Sequence, residues 1–212
     1  MRTMRWCVLL LAALPAAPQD RNPLPPDIDP VTLSRLPPAA AADLDEEGRR
    51  LLAARTNVKP APGPTHITSY SPRELDLGIP SGEKSPVGPR YFQLAALIAA
   101  RESDQQYEWS SHEPAGRRQG LEQSVIDVVK YNRDVAGLSE KDATVIRFGR
   151  ALFREHRVSS ELWEKMVKQF GRQRTVQLMM IMGDYFRVAL MLNAVDQHLT
   201  PGREPMLPPL QR

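Results

Sequence analysis

Apolar positions recur at helical spacing through the second half of the chain, and no segment alternates with the period of a strand. Residues 91–101 (YFQLAALIAAR) are apolar nearly all round, which predicts a buried helix. Residues 121–129 (LEQSVIDVV) predict a short amphipathic helix. Residues 143–153 carry an apolar stripe behind Ser139, which opens an S-x-x-D start resembling a capping box. Ser159 is the expected cap of a helix over 161–170 that Gly171 ends. A long methionine-rich helix is expected over 174–199. Its Met179, Met180, Met182 and Met191 read as core filling and not as a thioether metal site.

The first ninety residues differ. Twenty prolines are about double the usual share, yet only Pro114 falls within 91–200. Residues 1–19 have the three parts of a secretory signal: Arg2 and Arg5, an apolar run over 7–14, and small residues Ala13, Ala16 and Ala17. That run is too short for a membrane span, so none is expected after cleavage, and a periplasmic or secreted location is. Residues 20–38 read as an extended proline-rich arm without a core of its own. The expected helical domain covers 39–200, with a first helix over 39–55 and an irregular loop over 56–89. His66 in that loop is given no role, and His156 and His198 are read as solitary residues near helix ends. The tail over 201–212 is proline-rich again and is free to lie across a neighbouring subunit.

Charge and cysteine use narrow the chemistry. The formal charge of +3 falls to +1 when Arg2 and Arg5 leave with the signal, which gives no case for nucleic acid. Cys7 is the one cysteine and lies in the signal, so the mature chain is expected to lack thiol chemistry. No HExxH, Cys–His set, glycine-rich phosphate loop or G-x-S-x-G elbow occurs, so neither metal nor cofactor is expected. What stands out is QQYEWSSHEPAGRRQG over 105–120. Glu108 and His112 are four apart, so on a helix they share a face and can share a proton.

The run Y-E-W-x-x-H, with Ala115 and Gly120 downstream and the segments LEQSVI, LSEKDATVIRF, VSSELW and TVQLMMIMGDYF in that order, resembles the carboxymuconolactone decarboxylase-like family over roughly residues 38–205. The resemblance implies an all-α fold with the site on a helical hairpin, assembly into homo-oligomers (trimers or hexamers), and a link to the alkylhydroperoxidase-D-like superfamily. That superfamily uses C-x-x-C-x-x-x-H. Counted back from His112, its cysteine positions hold Gln105 and Glu108, so the peroxidase activity implied by the superfamily label lacks its nucleophile. Many relatives also carry a Glu at the position of Gln93, and an amide cannot relay a proton.

The activity this implies is decarboxylation or isomerisation of a small cyclic carboxylate. His112 would act as the acid or base and Glu108 as its partner, with Tyr107, Trp109 and Gln93 contacting substrate. Trp109 would form an apolar wall, and Tyr107 would orient a substrate oxygen. The alternative is a non-catalytic, ligand-binding oligomer whose chemistry has lapsed.

Overall fold

The computed structural model describes residues 24–54, 62–70 and 84–209. The expected signal segment lies outside the described residues. Among the described residues seven α-helices follow one another: α1 (Glu46–Ala53), α2 (Pro64–Thr68), α3 (Pro89–Glu102), α4 (Gln106–Arg118), α5 (Gln123–Lys130), α6 (Glu140–Arg150) and α7 (Ser160–Ala194). Among the described residues there is one isolated bridge, between Asp29 and Ser34, and no strand. The fold is all-α, as the spacing predicts.

Helix α3 is the axle. Pro89 occupies its first turn, where the missing N–H costs nothing, and residues 92–101 are buried on every side. Helices α4, α5, α6 and α7 all pack against it. The approach of α6 is close enough to require glycine: a Cβ on Gly149 would stand 2.5 Å from Ile98 Cγ2.

The helix starts are set by local hydrogen bonds. Ser139 Oγ accepts from the Asp142 N–H at 3.1 Å, and Ser159 Oγ accepts from the Leu162 N–H at 3.2 Å. After α6 a π-helical turn (Ala151–Glu155) closes at His156, which takes the left-handed conformation at φ 54°. Helix α7 is two helices joined at a kink. Gly171 breaks it at φ 75° and ψ 162°, and Thr175 Oγ1 donates back to the Gly171 carbonyl at 2.8 Å. Beyond the break, Leu178, Ile181, Met182, Ala189 and Leu192 form the core-facing stripe. Among the described residues α7 alone is long and apolar enough to cross a membrane by length and composition, and its buried stripe belongs to a helix packed on α3 and α6.

Five expectations need correction. The first helix is shorter than 39–55: a 3₁₀ turn (Ala41–Asp43) precedes α1, because Asp45 accepts from the Gly48 N–H at 2.7 Å and so fixes the start. The arm is not extended where it is described. The Asp29 carboxylate accepts from the N–H groups of Val31 and Thr32, at 2.9 Å each, curling the chain into a knot that buries Ile28, Thr32, Leu33 and Ser34. Nor is the loop over 56–89 wholly irregular, since α2 lies in it and buries His66, whose Nε2 is 2.9 Å from Ser34 Oγ. Finally, the tail folds over its own chain. Leu207 is buried, its N–H donates to Gln106 Oε1 at 3.1 Å, and the Pro208 carbonyl accepts from Arg101 Nη1 at 2.7 Å. Only part of the methionine cluster is core: Met182 is buried, whereas Met179 and Met180 are exposed.

Candidate functional site

The site is assembled where α4 crosses α3. Gln105 caps α4: its side-chain oxygen accepts from the Tyr107 N–H at 2.5 Å, and its amide donates to Asn193 Oδ1 on α7 at 2.8 Å. The residue at the first cysteine position of the resemblance is thus an N-cap that ties α4 to α7. Glu108 follows in the first turn, where the helix dipole favours a negative charge. Glycine at 116 lets the helices close beside the site. A Cβ there would meet Leu121 Cδ2 at 3.2 Å and Gln93 Cβ at 3.6 Å.

The spacing of Glu108 and His112 does what it predicts. Glu108 Oε2 lies 3.3 Å from His112 Nε2, and the pair is enclosed, with side-chain exposures of 5% and 14%. Gln93 Oε1 sits 2.7 Å from His112 Nδ1. A carbonyl oxygen can only accept, so Nδ1 carries a proton. Nε2 faces the Glu108 carboxyl, so the ring and the carboxyl stand within reach of proton exchange. Gln93 relays nothing, but it fixes the ring and its tautomer.

Two aromatic rings complete the surroundings of His112. Tyr185 on α7 meets it edge-to-face, with centroids 4.6 Å apart at 85°, and Phe92 lies 6.4 Å away. Phe92 and Tyr185 are themselves edge-to-face at 5.6 Å and 82°. Burial, followed by the nearby carboxylates of Glu108 and Asp184, raises the Tyr185 phenol far above its ordinary range. Sequence reading missed Tyr185. The available signal was its phase: it stands seven residues after Leu178 and seven before Leu192, a hydroxyl-bearing ring in the register of the core stripe.

Two expected contact residues face elsewhere. Tyr107 donates its hydroxyl to the Pro62 carbonyl at 2.9 Å, and its ring lies against Gly63, where a Cβ would come within 2.6 Å of the phenol oxygen. Trp109 is fully buried and donates from Nε1 to Glu113 Oε2 at 2.5 Å. Neither has a hydrogen bond or ring contact with His112 among the described residues. Glu113 is wholly enclosed. It also accepts from Lys130 Nζ at 3.0 Å and from Arg117 Nη2 at 2.6 Å. Burial alone would push this carboxyl up, but the hydrogen bonds from Arg117, Lys130 and Trp109 outweigh it and hold it below the usual range.

Pro114 inside α4 leaves the Ser110 carbonyl without its intrahelical donor, since proline has no N–H. Arg203 of the tail supplies one, Nη2 to Ser110 O at 3.3 Å. Among the described residues no three His, Asp or Glu side chains converge in a metal-binding group.

No family model matches the chain, and no curated protein does. Among solved structures it is similar to one described as an alkylhydroperoxidase AhpD core, an uncharacterized peroxidase-related protein from Ralstonia eutropha JMP134. The two superpose with a TM-score of 0.59 at 16% identity, over 82% of this chain and 94% of that one. The chain has the AhpD-like helical fold. This sequence has no C-x-x-C, its one cysteine being Cys7.

Proposed function

We propose that this AhpD-like protein is an acid–base enzyme that moves a proton in the decarboxylation or isomerisation of a small cyclic carboxylate. The observation that supports the reading best is the enclosed Glu108–His112 pair, 3.3 Å apart, with the other ring nitrogen held by Gln93. In the decarboxylation of a lactone acid, the bond from ring carbon to carboxylate breaks and CO₂ leaves. The electron pair passes into the conjugated carbonyl, and a proton from the pair ends on carbon. Water then returns a proton to the pair, and the hydroxide left combines with the CO₂ as bicarbonate. A thiol peroxidase reading has less support, because Gln105 is a helix cap, Glu108 is a carboxylate, and a lone cysteine cannot close an intramolecular disulfide.

The same reading includes homo-oligomeric assembly and export by the N-terminal segment. Assembly is supported by the apolar residues that α7 leaves exposed, Val176, Met179, Met180 and Leu190. A non-catalytic binding role is favoured by one observation, that both ring nitrogens of His112 already have partners.

The test is a thermal-shift screen against small cyclic and aromatic carboxylates, run beside His112→Ala. A ligand at a hundred times its Kd stabilises the native state by about 2.7 kcal/mol. A shift that is lost in the variant, followed by turnover of the same compound, is the expected result. Binding without turnover selects the non-catalytic role, and no shift with any compound overturns the proposal.

A further inference from the structure

Decarboxylation delivers negative charge to a carbonyl oxygen, and the Glu108–His112 pair supplies a proton to carbon but no donor to that oxygen. The sequence pattern gives the role to Tyr107, whose hydroxyl is already bonded to Pro62. Another hydroxyl is available beside His112. The Tyr185 ring is set by its edge contacts with His112 and Phe92 and by the core register of α7. Its hydroxyl has no hydrogen-bond partner among the described residues, and its oxygen is not sealed away from solvent.

Resting on the acid–base reading above, we infer that Tyr185 is the substrate-contacting donor of this site and bonds the ring or carbonyl oxygen on which charge develops. A preset donor at that position stabilises the charged form more than the ground state, which is what accelerates the step. The phenol suits the task because burial, with Glu108 and Asp184 nearby, keeps it protonated. It also places the oxygen-binding group on α7 and the proton-bearing pair on α4, so the two must stay in register across the α4–α7 seam that Gln105 and Asn193 join.

The experiment measures two probes by calorimetric titration of the full chain. One is paraconate, a lactone ring bearing one carboxylate. The other is cyclopentanecarboxylate, with the same ring size and charge but no ring or carbonyl oxygen. Tyr185→Phe removes the hydroxyl and keeps the ring contacts. Paraconate is expected to bind about tenfold more weakly to Tyr185→Phe than to the unaltered protein, with cyclopentanecarboxylate indifferent to the change and Tyr107→Phe without effect on either. Equal paraconate affinity in both proteins overturns the role of Tyr185 and leaves the acid–base reading standing. Equal weakening of both probes also overturns it, because a hydroxyl-specific contact discriminates between them. Sensitivity to Tyr107→Phe alone returns the role to Tyr107. If the unaltered protein binds neither probe, the carboxylate reading fails and the inference fails with it.

Discussion

Helix α4 carries two side-chain pairs of the same spacing, Glu108 with His112 and Trp109 with Glu113, one residue out of phase. One residue is about 100° of rotation, so the pairs occupy neighbouring faces of one rod. Their chemistry diverges because their partners differ. Glu113 is fully enclosed and accepts from an indole, an ammonium and a guanidinium, which fixes it as a carboxylate. Glu108 is nearly as enclosed, but the group facing it is the His112 imidazole. Burial alone does not distinguish the two carboxyls. The groups around them do: three fixed donors hold Glu113 in its charged form, whereas Glu108 faces an imidazole, a group that can itself take or give a proton.

The contrast is broken most directly at its structural end. Glu113→Gln should cost about 3 kcal/mol in denaturant unfolding, because Lys130 and Arg117 lose their counter-charge in an enclosed place and one acceptor oxygen becomes a donor. A change below about 1 kcal/mol would mean that the cluster is not the fixed side of the helix. The same carboxyl sets an acid limit. Its folded pKa lies below the unfolded value near 4.5, so as pH falls the unfolded chain takes up the proton first. The stabilisation is complete above that value and is lost as pH drops through the lower folded one. Urea melts between pH 6 and 3 should show the loss, and the slope should flatten in Glu113→Gln.

On the other face the expected order is reversed. Glu108→Gln keeps an amide beside Nε2 and should change stability by less than about 1 kcal/mol, while abolishing turnover of any compound found in the screen. Retained turnover would remove the carboxyl from the mechanism. The smallest effect concerns the tail. Arg203→Ala should cost about 0.5 kcal/mol by freeing the Ser110 carbonyl, and Pro114→Ala should abolish that cost by restoring the missing N–H. Additive effects in the double variant would show that Arg203 and Pro114 are not coupled.

What the sequence made legible was local. Ser139 and Ser159 cap, Gly171 breaks, and residues 92–101 are apolar on all sides, so helix order follows from spacing and punctuation. The Glu108–His112 contact was legible for the same reason, being a matter of one turn. Tyr107 and Trp109 were misassigned because proximity in sequence to His112 says nothing about rotation around the helix, and Trp109 points 60° or so away toward a lysine on α5. Tyr185 is more than seventy positions from His112, and only the packing of α7 brings the rings together. The folded knot near Asp29 was hidden by proline content. Prolines exclude helix and strand, but they do not exclude a compact turn that finds its partners elsewhere.

Those partners lie at the far end of the chain. The Arg35 N–H donates to the Val195 carbonyl at 2.8 Å, the His198 N–H to the Leu33 carbonyl at 2.9 Å, and the Gln197 amide to Thr32 and Leu33. The first described residues are thus completed by nearly the last. During synthesis the knot at 27–36 has no docking surface until the end of α7 has emerged, so the earliest part of the domain to be translated is among the last to settle.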